Sequence, residues 1–276
     1  GEVVRDVEDN FCQCWDVVTG EDVKPLPAQP EGNTPAQIVR TVPAGFYPFA
    51  EQGDFGIFHA LTTAIRRAER FVYLENQYIW SPEIVDALVA AMNRPRSTPF
   101  RVILILPAKA MMGRYDNDQH VRLLTKVDGS RGMFQAYTPY ASGPAVGPTG
   151  YRYLPIYVHA KVSIVDDEWF SCGSANLNRR GLAGDTEMNV QSIAPAVARA
   201  LRVELWAEHL GIPEEQVAAT DPIELADTVW PQAADTVERC ERAKSVAPAA
   251  QIRRYVPGRS PESRALDVLE GLTLEH

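Results

Sequence analysis

The stretch VHAKVSIVDDEWFSCGSANLNRR, Val158 to Arg180, decides how the chain reads. With a period of two, Tyr157 to Val165 is a strand whose even positions, Val158, Ala160, Val162 and Ile164, are apolar. The odd positions carry His159, Lys161 and Ser163, so an imidazole and an ammonium stand side by side on one sheet surface. Asp166, Asp167 and Glu168 form a polar turn, WFSC returns as a second strand, and Gly173-Ser174-Ala175-Asn176 closes the unit. Glycine lets backbone approach a ligand closely, and the Ser174 hydroxyl and Asn176 amide can donate to anionic oxygen. Lys161 supplies positive charge, and His159 can attack phosphorus or shuttle a proton. These are the parts of a phosphate site with a reactive group in it.

The rest of the chain bounds what such a site can serve. At 276 residues, 45% of them hydrophobic, there is material for one large globular domain or two small ones. A net charge of -9 disfavours nucleic acid as a partner unless Lys and Arg cluster on one face. The four cysteines have neither metal-site nor disulfide-scaffold spacing and read as free thiols, so no structural zinc is expected. The longest apolar run, Val102 to Leu106, is far too short to span a bilayer. The opening GEVVRDVEDN is not signal-peptide-like, which favours a cytoplasmic or peripheral-membrane location, although the chain starts without Met and a leader could precede it.

Along the chain, helices alternate with strands, the pattern of an α/β sandwich. Val3, Val7, Phe11 and Trp15 mark an amphipathic helix over residues 1–19. Residues 20–48 are proline-rich and read as a linker, 49–245 as the catalytic domain, and 246–276 as a tail. Phe55 to Arg70 reads as a helix feeding the strand FVYLEN, Ser81-Pro82 as the start of a helix to about Asn93, and RVILIL as a strand covered on both faces. The Gly- and Pro-containing segment Ala141 to Leu154 reads as a mobile loop placed to act as a lid. Pro195 to Leu210, stopped by Gly211, reads as a closing helix, and Asp221 to Lys244 as another.

The spacing His159-x-Lys161-x4-Asp166-x6-Gly173-Ser174-x-Asn176 resembles the HKD signature of the phospholipase D superfamily, with all six fixed positions matched. A chance match in a chain this long is on the order of a few in a million. FVYLENQYIW resembles the strand preceding the second signature in two-motif members, LRVELWAEHLG their closing helix, and VRDVEDNFCQCWD the segment after the first motif. The resemblance implies an α/β/α sandwich with a mixed central sheet flanked by helices, and reads residues 1–19 as the end of a preceding catalytic half. It also implies that Glu187, in GDTEMNV, hydrogen-bonds the catalytic imidazole, which fixes its tautomer and raises its basicity.

Superfamily members build one site from two motifs, and this chain carries one. His59, His120, His209 and His276 lack a lysine two residues on and read as helix-surface or terminal residues. The partner motif then lies upstream or on another chain, or two copies pair across a twofold axis. The implied chemistry is phosphodiester cleavage through a phosphohistidine, with catalytic His159, Lys161, Asp166 and Glu187, phosphate donors Ser174 and Asn176 beside Gly173, and no metal or cofactor. Asp166 reads as the anchor of its turn, Asp167 and Glu168 as solvated charges, and Arg179 and Arg180 as phosphate contacts or plain surface. Tyr78 and Trp80 fit either core or lipid contact. A phospholipid substrate with peripheral membrane contact is the first expectation; a nuclease of the same superfamily and an inactive phosphate-binding half are the alternatives.

Overall fold

A computed structural model describes residues 1–258 apart from positions 28, 30, 111–113, 146–149 and 245. His276 and the end of the expected tail lie outside the described residues, as does the centre of the expected lid. The elements run α1 (Glu2–Thr19), β1 (Gln37–Val42), β2 (Asp54–Phe55), α2 (Gly56–Arg67), β3 (Phe71–Asn76), α3 (Pro82–Asn93), β4 (Arg101–Ile105) and α4 (Arg114–Asp128). They continue with β5 (Phe134–Pro144), β6 (Tyr151–Pro155), β7 (Lys161–Val165), β8 (Trp169–Gly173), β9 (Glu187–Ile193), α5 (Pro195–Leu210), α6 (Glu214–Ala219), α7 (Pro222–Glu224), α8 (Trp230–Ala243) and β10 (Ile252–Arg254).

One mixed sheet in the order β10-β5-β4-β3-β7-β8-β9-β1-β2 carries the fold, with β6 paired to β5. The β3–β4 and β4–β5 pairs are parallel and joined by α3 and α4, while β3 and β7 are antiparallel. Strands covered on both faces are continuously apolar, as RVILI and FVYLEN are. On one face Val72, Leu74, Val102 and Leu104 pack with Leu61 and Ile65 of α2, Ile84 and Leu88 of α3 and Leu124 of α4. On the other, Phe71, Tyr73, Ile103, Ile105 and Ile164 pack with Val203 and Trp206 of α5, Val217 of α6 and Trp230 and Val237 of α8. The arrangement is an α/β/α sandwich. No helix among the described residues is long and apolar enough to cross a membrane.

Several expectations change. The proline-rich 20–48 segment contains β1, whose β-branched QIVRTV run pairs with β9, and the tail contributes β10, which pairs with β5; both boundaries therefore cut through the sheet. The 141–154 segment is no free loop, because its two arms pair from Tyr140↔Pro155 to Pro144↔Tyr151 as a hairpin extending β5. The strand read from Tyr157 starts its ladder only at Lys161. Helix α1 faces the sheet with its polar side, Arg40 donating to Asn10 and Gln13, and leaves Val7, Phe11 and Trp15 exposed.

Gly211 ends α5 with φ near +65°, and a Cβ there would collide with the backbone of Ala249 and Ala250, which returns to the sheet through Gln251 N–H donating to the His209 carbonyl. Gly211→Ala is expected to lose about 2 kcal/mol or more, read as a lowered urea midpoint with unchanged slope.

Candidate active site

The site lies at one end of the sheet, where β3 ends, β7 begins, β8 ends and β9 begins. Alternation along β7 sends Val162 and Ile164 toward α5 and Lys161 and Ser163 to the opposite face. Lys161 is buried; its Nζ donates to the His159 carbonyl oxygen at 2.7 Å and lies 3.5 Å from Gln77 Oε1. Burial pulls the Lys161 ammonium below the usual lysine range, against an opposing pull from Glu187. The His159 side chain, on the segment leading into β7, is exposed.

Gly173 closes β8 opposite Asn189, and a Cβ at 173 would meet the Met188 carbonyl and the Asn189 side chain, so only glycine fits between these strands. Ser174 follows, held by its N–H to the Met188 carbonyl and by Met188 N–H to its Oγ at 3.1 Å. The Ser174 hydroxyl donates to the Glu187 carboxylate. Burial raises the Glu187 carboxyl above its ordinary value, while Ser174, Lys161 and Arg180 hold it down. The half-buried Asn176 has its Oδ1 buried with no partner among the described residues.

The structure thus brings His159, Lys161, Gly173, Ser174, Asn176 and Glu187 to one end of the sheet. It differs from the expected imidazole contact: the Glu187 carboxylate takes the Ser174 hydroxyl, and no hydrogen bond links it to His159 among the described residues. Asp166 lies at the far end of β7, roughly 16 Å along the strand from Lys161. Its carboxylate accepts the backbone N–H of Glu69, Arg70 and Phe71 at 2.6, 2.8 and 2.7 Å, so Asp166 is an anchor, as expected for it. Asp166 and Asp167 both have positive φ, 56° and 57°, a conformation that aspartate tolerates better than most residues.

Asp167 is not the solvated charge expected. It takes two hydrogen bonds, at 2.6 and 2.8 Å, from Arg202, whose buried guanidinium also lies over the Trp206 ring. Nor is His209 a surface residue. It is buried with Nε2 at 3.1 Å from Glu75 and 3.2 Å from the Tyr73 hydroxyl, which itself donates to Glu75. His120 is half-buried, its Nδ1 2.6 Å from the Ile79 carbonyl. Tyr78 is core, and burial pushes its hydroxyl up to about 12. Arg180 pairs with Asp185.

Sequence reasoning also missed a supporting shell. Gln77 donates to the Tyr78 and Tyr157 hydroxyls and neighbours Lys161; Asn76 accepts from Leu177 N–H; Asn189 accepts from Ala175 N–H; and Thr41 donates to the Gly181 carbonyl. The signal lay in the consecutive polar residues of ENQY at the end of an apolar strand, a costly placement unless each group is bonded.

Residues 61–208, just over half of the chain, match the protein family described as "Cardiolipin synthase, PLD-like domain". Phospholipase D of Phytophthora infestans is 26% identical over 257 residues, covering 74% of this chain and 14% of that protein. Phospholipase D delta of Arabidopsis thaliana is 30% identical over 221 residues, covering 57% of this chain and 25% of that protein. The chain thus spans a quarter or less of the length of these two curated relatives. Among solved structures, the phospholipase D family member Nuc from Salmonella typhimurium aligns at a TM-score of 0.44 and 19% identity, over 63% of this chain and 92% of that one.

Two measurements probe this framework. Asp166→Ala removes the acceptor of three charge-assisted bonds and should cost about 3 kcal/mol or more by urea denaturation, with Asp166→Asn losing less. Burial alone would raise the Glu75 carboxyl, but the His209 and Tyr73 contacts carry it below its ordinary value. A lowered folded-state pKa gives stability that is present above the unfolded value of about 4.3 and lost as pH falls through the folded value. Glu75→Gln should therefore lose less stability than the wild type between about pH 5 and pH 3.

Proposed function

The chain belongs to the phospholipase D-like family, and from that premise we propose that it is one catalytic half of a phosphodiesterase that hydrolyses or transfers the phosphatidyl group of phospholipids. The observation that carries the reading is the convergence of His159, Lys161, Ser174 and Glu187 at one end of the sheet, a cation and a hydroxyl donor beside an exposed imidazole.

In this reading the second histidine comes from another copy of the motif, upstream in the natural protein or on a second chain. That histidine attacks phosphorus, the P–O bond to the head-group alcohol breaks, and His159 as general acid gives its proton to the departing oxygen. His159 then takes a proton from water or an alcohol, whose oxygen attacks the phosphohistidine and frees the first imidazole. Lys161 balances charge on the non-bridging oxygens, in a partly desolvated setting where that charge counts for more than in water. Ser174 and Asn176 donate to the same oxygens, and Gly173 lets them come close. A phosphate oxygen competes with Glu187 for the Ser174 hydroxyl, so substrate releases the carboxylate to orient His159.

The exposed row Val7, Phe11 and Trp15 on α1 supports a preceding catalytic half, since an apolar helix side left open by this chain suits cover by another part of the protein. The net charge of -9 favours a phospholipid over a polyanion as substrate.

In a preparation that releases phosphatidic acid from phosphatidylcholine, His159→Asn should lower kcat by about a thousandfold or more. Glu187→Gln should lower it by roughly ten- to a hundredfold with an unchanged melting temperature. An unaltered rate in the His159 variant would show the assignment to be wrong.

A further inference from the structure

The β5–β6 hairpin extends beyond the sheet at the same end as His159 and Lys161, and its return strand leads directly into them. Along that return, side chains alternate. Tyr151 and Tyr153 are half-buried, with the Tyr153 hydroxyl donating to the Val246 carbonyl, whereas Arg152 and Leu154 are exposed. Ile156 continues the exposed row, and Tyr157 next to it, two residues before His159, is exposed as well. Leu154 is 60% exposed and Ile156 37%, so two large apolar side chains face outward, and Tyr157, 43% exposed, lies next to them with its hydroxyl held by Gln77. Their backbone is fixed by the hairpin ladder and by Ile156 N–H donating to the Pro139 carbonyl, so this is a built rim. Arg152, in the same row, has no acidic partner among the described residues.

We propose that this rim, Arg152, Leu154, Ile156 and Tyr157, is the face by which the chain docks on a lipid bilayer, so that a phosphodiester reaches His159 without leaving the membrane. The proposal rests on the phospholipid reading above and adds the surface that selects it. In a bilayer the phosphodiester lies at the boundary between head groups and acyl chains. A protein that cleaves it there needs apolar side chains next to its phosphate-binding groups, entering the acyl boundary, and a cation beside them at phosphate depth. The row supplies both in that order, Arg152 toward the hairpin tip and the apolar residues toward the site. A soluble phosphodiester would make no use of such a rim. The overall negative charge makes apolar insertion, with Arg152 as a local supplement, the fitting mode of attachment.

Co-flotation of the full chain with phosphatidylcholine–phosphatidylglycerol vesicles tests this without requiring turnover. The wild type should float. The double variant Leu154→Ser, Ile156→Ser should partition about tenfold or more weakly, Arg152→Glu should weaken binding in a salt-sensitive way, and Val256→Ser, exposed but remote, should float as the wild type does. Circular dichroism and melting should be unchanged in each, as expected for exposed positions. Flotation that survives in the double variant but is lost in Phe11→Ser would move the contact to α1 and overturn the proposal. So would a wild-type chain that stays in solution. A chain that floats, in a preparation that supplies both motifs and still releases no phosphatidic acid, keeps the docking face and rejects the phosphodiesterase reading. One that cleaves a soluble diester without floating does the reverse.

Discussion

Asp166 holds the register on which the site depends. Its carboxylate binds three successive N–H groups at the start of β3, and the β7–β8 turn is thereby pinned to the strand that β7 pairs with. From that pin the ladder runs Val72↔Val165 to Asn76↔Lys161, so Lys161 arrives beside Gln77 at the other end. A slip of one residue would turn Lys161 and Ser163 into the apolar layer under Trp206 and bring Val162 to the site. A residue at one end of β7 thus decides which side chains stand at the other. Its neighbour Asp167 secures the same turn to α5 through the buried Arg202, a pair whose loss would leave an uncompensated buried charge.

At the reactive end the constraints are of another kind. The loop from Gly173 to Asn178 is held by side chains of several strands: Asn189 of β9 receives Ala175, Asn76 of β3 receives Leu177, and Thr41 of β1 reaches the Gly181 carbonyl. A Cβ at Gly181 would strike the Asn176 backbone, so the turn is also packed as closely as glycine allows. Ser174 and Glu187 therefore stand on fixed backbone, the condition for donors to meet a developing charge without reorganising. The His159 imidazole is left exposed.

How much of this was legible follows from the range of each signal. The alternation of Val158, Ala160, Val162 and Ile164 and the motif spacing are local, and they placed Lys161, Gly173, Ser174 and the anchoring role of Asp166. Proline and glycine punctuation bounded α3 and α5 for the same reason. Features that rest on distant partners stayed hidden. QIVRTV becomes a strand only because Gln191 to Glu187 offer it a free edge, and the hairpin arms pair despite their glycines and prolines because β5 already lies in the sheet. Asp167 with Arg202, and His209 with Glu75, are separated by 35 and 134 residues, and no local pattern tells a buried charge of this kind from a solvated one.

The position of the site within the sheet accounts for its economy of charge. Between β3 and β7 the sheet changes from parallel to antiparallel pairing, and chains leave it in different directions on either side. Such a boundary opens a crevice at the strand ends, which is where ligands of open α/β sheets bind. Here the chain leaving β3 continues to α3, capped by Ser81 accepting from Ile84 N–H, while the chain entering β7 comes down from the hairpin. The Lys161 end of β7 thus lies between the chain that leads to the capped helix α3 and the segment bearing Ile156 and Tyr157. One partly desolvated lysine beside a carboxylate can dominate the local potential, because its burial keeps away the water that would screen it. In a chain of net charge -9, the register that delivers Lys161 is thus what puts a partly desolvated cation at this end of the sheet.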